Sequence, residues 1–227
     1  KSKLVPDEVT AGGPTVAIRM PNHPVALALI SVSGKPIAAP SANLSGRPSP
    51  TTADHVKQDL GNKLEFLIDA GSTSIGLEST VLDLTTSIPT VLRLGAISAE
   101  QIKSVIGQAE TLKHTDLTQT VSSPGLKYRH YAPRARVLVV SQITNELVSH
   151  YQAQGLKVAT INLISESPSD NADFTSVFET PEILAKNLYA TLRQADELGM
   201  DIILAETVSL PGVSQAVMDR LKRASEE

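Results

Sequence analysis

The stretch ARVLVVSQITNELVSHYQAQGLKVATINL, residues 135–163, decides the fold of the second half of the chain. An apolar run over residues 135–141 precedes a helical pattern over residues 144–154 and a second apolar run over residues 157–163. This alternation is typical of a β-α-β unit. It continues with predicted strands at residues 173–178 and 202–207 and predicted helices at residues 181–197 and 213–224. The sequence therefore predicts a small doubly wound domain.

The turn after the first of these strands argues against a nucleotide site in this domain. It reads Ser141-Gln142-Ile143-Thr144 and lacks the glycines that a dinucleotide-binding fingerprint needs. We therefore look for ligand chemistry in the first half of the chain.

The first half alternates short β-rich runs, bounded by proline and glycine, with helical patterns. This arrangement indicates an α/β layer fold. The predicted strands lie at residues 15–19, 35–39, 64–69, 79–84 and 90–94, and the predicted helices at residues 24–33, 52–60 and 98–106. Thr51 or Thr52 is the expected cap of the second helix, and Ser98 that of the third.

Composition limits the class of protein. The 227 residues are 41% hydrophobic and 19% charged, which is typical of a globular chain long enough for one large or two modest domains. Cysteine is absent, so disulfides, thiolate catalysis and cysteine metal sites are excluded. The formal net charge of -4 argues against a generally basic nucleic-acid-coating protein. Since no signal peptide or membrane-spanning run is evident, we expect a cytoplasmic protein with no membrane partner.

Residues 39–50, Ala-Pro-Ser-Ala-Asn-Leu-Ser-Gly-Arg-Pro-Ser-Pro, follow a predicted strand and place hydroxyls, an amide and a cation in one loop. Small side chains let a ligand approach the backbone, and such donors hold phosphates and carboxylates. These serines are equally typical of turns and caps. The loop is a candidate floor for an anionic ligand.

Polar groups also lie at the ends of other predicted strands, where ligands gather in α/β sheets. An arginine there could clamp a carboxylate or a phosphate through its planar guanidinium. Taken alone, Arg19 is more typical of a surface residue, and Glu78 is more typical of a structural or capping group. For Arg93, a structural role and a ligand-binding role are equally plausible. The set comprises Thr15, Arg19, Ser41, Asn43, Glu78, Ser79, Thr80 and Arg93.

A long connecting segment forms a second candidate feature. Periodicity disappears from Gly107 to about Pro133, and no acidic residue occurs between Asp116 and Glu146. Basic and aromatic residues cluster there, so we expect an ordered strap across something negative. The cluster comprises Lys127, Tyr128, Arg129, His130, Tyr131, Arg134 and Arg136.

Five motifs, in order, closely resemble those of the L-threonylcarbamoyladenylate synthases, the YrdC-like family, in the long form with a C-terminal domain. They are TVAIRMP (15–21), IAAPSANLSGRPSPT (37–51), GLESTVLD (76–83), VLRLG (91–95) and KYRHYAP (127–133). The resemblance implies a YrdC-like twisted mixed sheet with helices and a small Rossmann-like doubly wound domain. It implies a catalytic domain over residues 1–107, a linker and lid over residues 108–134, and the second domain over residues 135–227.

The resemblance also implies an activity. Family members make threonylcarbamoyl-AMP from L-threonine, bicarbonate and ATP, with release of pyrophosphate, and downstream proteins transfer the threonylcarbamoyl group to tRNA. No protein nucleophile is required, because positioning and electrostatic stabilisation suffice. Magnesium is expected with the triphosphate rather than in a protein cage. Whether this chain contacts tRNA itself stays open.

The resemblance implies roles for individual residues. Threonine would be held by Arg19, through its carboxylate, and by Ser41 and Ser79. The strap would close over the ligand and exclude water. The nucleotide would be held by Thr15, Ala39 through its backbone, Asn43, Ser49 and Arg93, with Tyr128 and His130 from the strap.

Two other functions are weighed against this one. The same fold serves carbamoyl-adenylate-forming carbamoyltransferases, although the C-terminal domain argues against that reading. A non-catalytic RNA-binding module would use the basic strap, although net acidity disfavours it. Family members carry a further basic N-terminal stretch, so we expect that the numbered chain begins inside a larger domain and that these 227 residues alone are poorly active.

Overall fold

The computed structural model describes residues 1–112, 131–163 and 171–225. These residues belong to two compact units, Lys1–Ser41 and Ala42–Glu227. The first unit contains helices α1 (Asp7–Thr10) and α2 (Pro24–Ser33). Helix α2 begins with proline at its first position and ends at Gly34, whose φ of 62° suits a left-handed cap.

The second unit contains two sheets. Its elements are α3 (Ala53–Leu60), a 3-10 turn (Gly61–Lys63), β1 (Val81–Asp83), β2 (Thr90–Arg93), α4 (Ala99–Ile106), β3 (Glu110–Thr111), β4 (Arg136–Val140), α5 (Asn145–Gln152), β5 (Val158–Leu163), β6 (Phe174–Phe178), α6 (Pro181–Glu197), β7 (Ile202–Glu206) and α7 (Ser214–Ser225).

The smaller sheet has the order β1-β2-β3 and is mixed. Strands β1 and β2 are antiparallel, with Leu82 opposite Val91, whereas β2 and β3 are parallel. Helix α4 follows directly and begins with a capping box, in which Ser98 and Gln101 each accept from the other's backbone N–H. The predicted cap at Ser98 is confirmed, and Thr52 is the cap of α3.

The larger sheet is fully parallel, in the order β4-β7-β5-β6. Successive residues of its central strands face opposite sides, as the two-residue period of a strand requires. Ile161 and Ile203 pack with α6 and α7, whereas Val158 and Leu204 pack with Val148 of α5. Helices therefore cover both faces, in agreement with the predicted α/β class.

Three predicted strands are wrong. Residues 15–19, 35–39 and 64–69 lie outside both sheets, although their composition favours strands. Apolar and β-branched residues indicate compatibility with a pleated surface, but only a neighbouring strand makes a ladder. The composition of these segments therefore indicates strand propensity, but it does not identify a neighbouring strand with which they could pair.

Among the described residues, no helix combines the length and the apolar character that a membrane span requires.

Candidate functional site

The loop over residues 42–50 is braced from beneath by a buried carboxylate. Asn43 donates from Nδ2 to the carbonyl oxygens of Leu44 and Arg47, at 2.9 and 3.1 Å. The backbone N–H of Leu44 and the Arg47 guanidinium both bind Asp59 on α3, the latter at 2.6 Å. Since Asp59 is 7% exposed, it provides a fixed anchor for the loop.

A buried arginine from α6 completes this brace. Arg193, 2% exposed, donates from Nη2 to Asp59 Oδ2 at 2.7 Å and to the Pro48 carbonyl at 2.6 Å. Burial by itself raises the pKa of Asp59, but the hydrogen bond and charge of Arg193 and the charge of Arg47 outweigh it, so the pKa lies below its ordinary value. Asp59 therefore pairs with two arginines, one from the loop itself and one from α6.

A second brace is centred on Glu78, which directly precedes Ser79. Its Oε1 accepts from the Ser49 hydroxyl at 2.6 Å, and its Oε2 accepts from Tyr189 Oη and Arg220 Nε, each at 2.8 Å. Burial by itself would raise the pKa of Glu78. The charge of Arg220 and the hydrogen bonds outweigh this effect, so the pKa lies below its ordinary value. Glu78 is therefore an ionised acceptor with a structural role, as expected.

Aromatic rings extend this brace. The rings of Tyr131 and Tyr189 stack with centroids 5.5 Å apart, and the Arg220 guanidinium lies 5.2 Å from the Tyr131 ring centroid. Tyr131 itself has a φ of 65°, a conformation uncommon for a residue with a side chain. Burial raises the pKa of Tyr189 well above its ordinary value, so its hydroxyl stays a donor to Glu78.

Ser79 and Arg93 are joined through the backbone. Arg93 donates from Nε and Nη2 to the Ser79 carbonyl, at 3.1 and 3.0 Å. The segments pack so closely that a Cβ on Gly95 would lie 2.3 Å from the Thr80 nitrogen. A glycine is therefore required in the Leu-Arg-Leu-Gly motif for steric reasons.

The second required glycine is Gly76, at the start of the GLEST segment. Its φ is 83°, and a Cβ there would lie 2.2 Å from the Lys186 carbonyl oxygen on α6. This close approach seats the segment directly on helix α6. An open cleft of about 270 Å³ lies beside it, lined by apolar side chains and by Glu78, Ser79 and Thr80.

Of the predicted site residues, Asn43 and Ser49 lie in the braced loop, and Ser79 directly follows Glu78 and accepts through its carbonyl from Arg93. Ser49 gives its proton to Glu78, so toward a ligand its hydroxyl can act only as an acceptor. Thr15, Arg19, Ala39 and Ser41 belong to the Lys1–Ser41 unit and are exposed there. The predicted strap residues Tyr128 and His130 lie outside the described residues.

Sequence reasoning missed the residues that form the braces: Asp59, Tyr189, Arg193 and Arg220. A signal for one of them was available. Helix α7 buries Ala216, Val217, Leu221 and Ala224, and Arg220 falls within the same stripe. A charged residue within an apolar stripe indicates a buried partner.

Comparison with known proteins assigns the chain to a family. Residues 1–95 match a family model described as "Telomere recombination", which covers Sua5, YciO and YrdC proteins, and residues 97–226 match "Threonylcarbamoyl-AMP synthase, C-terminal domain". The threonylcarbamoyl-AMP synthase of Pyrococcus abyssi is 45% identical over 99% of this chain and 68% of its own length. That of Bacillus subtilis is 44% identical, over 99% and 67%.

A solved structure supports the same assignment. The crystal structure of P. abyssi Sua5 complexed with L-threonine has a TM-score of 0.91 and 45% identity, covering 99% of this chain and 68% of that one. The similarity therefore spans both matched regions and extends from sequence to fold. The chain belongs to the threonylcarbamoyl-AMP synthase family.

Proposed function

We propose that this chain makes threonylcarbamoyl-AMP from L-threonine, bicarbonate and ATP, with release of pyrophosphate. The observation that carries the proposal is the 45% identity to a threonylcarbamoyl-AMP synthase over 99% of the chain. The family match favours this function over the carbamoyltransferase and RNA-binding alternatives. The product would supply proteins that modify tRNA, a process that we place in the cytoplasm.

The chemistry requires two bond-forming steps. The threonine amine adds to the carbon of bicarbonate, or of carbon dioxide derived from it, and gives a carbamate with loss of water. A carbamate oxygen then attacks the α-phosphorus of ATP, and pyrophosphate leaves with the electron pair of the broken P–O bond. No group on the protein needs to become covalently bound, so the chain contributes orientation and charge.

We assign the substrates to the braced segments as follows. Ser79, which lines the cleft, would contact threonine, and Asn43, Ser49 and Arg93 would contact the nucleotide. The two cations that contact this loop region, Arg47 and Arg193, outnumber the single carboxylate of Asp59 that they share, which favours an anionic ligand there. In the Lys1–Ser41 unit, Arg19 and Ser41 would contact threonine, and Thr15 and Ala39 the nucleotide.

Magnesium would enter with the triphosphate. Asp59 and Glu78, the two carboxylates described above as contacting the loop over residues 42–50, are already occupied by arginine and hydroxyl donors. We therefore propose that phosphate oxygens and water hold the ion, and that these two carboxylates keep their roles as anchors.

We also propose that three consecutive parts of the chain have different roles. Residues 1–107 would form the ligand-binding domain, residues 108–134 the connecting lid, and residues 135–227 the supporting domain. Tyr128 and His130 would be the lid residues that reach the nucleotide.

The test is product formation by the full-length protein. We expect threonylcarbamoyl-AMP carrying one ¹³C atom when ATP, L-threonine and ¹³C-bicarbonate are supplied together, detected by mass spectrometry, with pyrophosphate in equal amount. Omission of threonine or bicarbonate provides the matched controls. Pyrophosphate release that is independent of threonine, or unlabelled product, would contradict the proposal.

A further inference from the structure

Arg220 on helix α7 connects segments that are far apart in the chain. It donates from Nε to Glu78 at 2.8 Å and from Nη2 to the Leu94 carbonyl oxygen, also at 2.8 Å. A third nitrogen, Nη1, donates to Asp219, and the guanidinium lies against the Tyr131 ring. The residue is 1% exposed, so these protein groups surround it almost completely.

Each group that Arg220 holds lies next to an assigned part of the site. Glu78 directly precedes Ser79, the proposed threonine contact, and Leu94 directly follows Arg93, the proposed nucleotide contact. Tyr131 lies in the KYRHYAP motif, which belongs to the predicted strap. Because a guanidinium is planar and rigid, its donors fix these groups relative to one another.

Tyr189 on α6 supports the same arrangement from a second helix. Its hydroxyl donates to Glu78 Oε2, the oxygen that Arg220 also binds, and its ring stacks on Tyr131. Glu78 Oε1 in turn accepts from Ser49 in the loop over residues 42–50. One carboxylate thus connects the loop, the GLEST segment and both C-terminal helices.

A purely stabilising role does not explain this chemistry. Buried ion pairs contribute little net stability compared with well-packed apolar side chains of similar size. What an arginine offers beyond an apolar residue is direction, since each N–H fixes an acceptor at a defined angle and distance.

We propose that Arg220, assisted by Tyr189, is a positioning residue that holds the proposed threonine-binding segment, the proposed ATP-binding segment and Tyr131 in fixed positions relative to one another. The supporting domain would thereby act on the reaction through an arginine that touches neither substrate. This inference rests on the proposed function.

The test compares three variants of the full-length protein by steady-state kinetics. Arg220→Gln removes the planar cation, and Tyr189→Phe removes one hydroxyl while it keeps the buried ring. Lys222→Gln is the matched control, because it removes a positive charge from an exposed position on the same helix. The KM values for L-threonine and for ATP are measured separately from kcat, together with the folded fraction by circular dichroism.

We expect both KM values to rise together, by about tenfold in Arg220→Gln and by about threefold in Tyr189→Phe, since small misplacements of binding groups are costly. Lys222→Gln should match the wild type. If Arg220→Gln does not fold, Tyr189→Phe decides the matter, because its core ring is retained.

The inference is overturned if both KM values stay within twofold of wild type in Tyr189→Phe and in folded Arg220→Gln, and any decrease in kcat equals the decrease in the folded fraction. It is also overturned if only one substrate is affected. A wild-type protein that makes no product overturns the proposed function and this inference together, whereas an active wild type with unchanged KM values overturns this inference alone.

Discussion

The C-terminal parallel sheet and the segments that carry the proposed ligand residues are held by different kinds of contact. In the sheet, Val158, Ile203 and Leu204 are fully buried among apolar neighbours. The ligand segments instead depend on Arg193 and Arg220, which reach them from α6 and α7. Apolar burial is non-directional, whereas hydrogen bonds also fix the positions of the groups that they join. The two regions should therefore respond differently to substitution.

The largest effect is expected in the apolar core. Leu188→Ala, at a position with no exposed surface, should lower the free energy of unfolding by about 2–5 kcal/mol, because it removes buried methyl groups and leaves a cavity. Urea denaturation measures this loss. Leu198→Ala, at a position 48% exposed, should change stability by less than about 0.5 kcal/mol. Equal effects at the two positions would contradict the assignment of the core.

The next effect concerns the contacts that hold the loop over residues 42–50. Arg193→Gln should lower the free energy of unfolding by about 3 kcal/mol, at the lower end of the range for a broken buried pair because Arg47 still contacts Asp59. Chemical denaturation again provides the measurement. Lys186→Gln, which removes an exposed charge from the same helix, is the control. If Arg193→Gln leaves the free energy of unfolding unchanged, the loop does not depend on this contact.

A smaller effect should appear in ligand binding. Arg93→Ala in the full-length protein should weaken ATP binding by about 1.5–3 kcal/mol, as expected for loss of hydrogen bonds from a charged group. Part of this loss would come through the Ser79 carbonyl, which Arg93 holds. Isothermal titration calorimetry measures the affinity. An unchanged dissociation constant would remove Arg93 from the proposed site.

The smallest effect is a pH dependence of stability. The pKa of Glu78 is lower in the folded protein than its ordinary value. The resulting stability is present above the ordinary pKa of glutamate and is lost as the pH falls through the folded-state value. Between pH 7 and pH 4, wild type should therefore lose more stability than Glu78→Gln. Identical losses in urea titrations at the two pH values would contradict an ionised, anchored Glu78.

Much of the fold could be predicted from sequence because the signals were local. Helix α6 begins and ends where its pattern predicts, and the cap at Ser98 follows from its position before an amphipathic stretch. The segment over residues 64–69 shows where local signals fail, since its composition is strand-like and no strand forms there. A ladder depends on a partner that the segment itself does not specify.

The candidate site, like the fold, has one part that local sequence indicates and another part that depends on residues far apart in the chain. Ser49 and Ser79 became candidates because they lie in short motifs, IAAPSANLSGRPSPT and GLESTVLD, that can be recognised from local sequence alone. Arg193 and Glu78 meet their partners across more than a hundred residues of chain, so no local pattern connects them. Only the fold reveals that α6 and α7 hold the segments around Pro48, Glu78 and Leu94.

The central claim is that directional contacts position the ligand segments without supporting the C-terminal sheet. Amide hydrogen exchange on wild type and Arg220→Gln, compared segment by segment, tests it most directly. We predict that exchange over residues 76–82 and 93–96 becomes at least about tenfold faster in the variant, while the amides of β5 and β7 keep their wild-type rates. Equal acceleration in the sheet, or no change over residues 76–82, would contradict the claim.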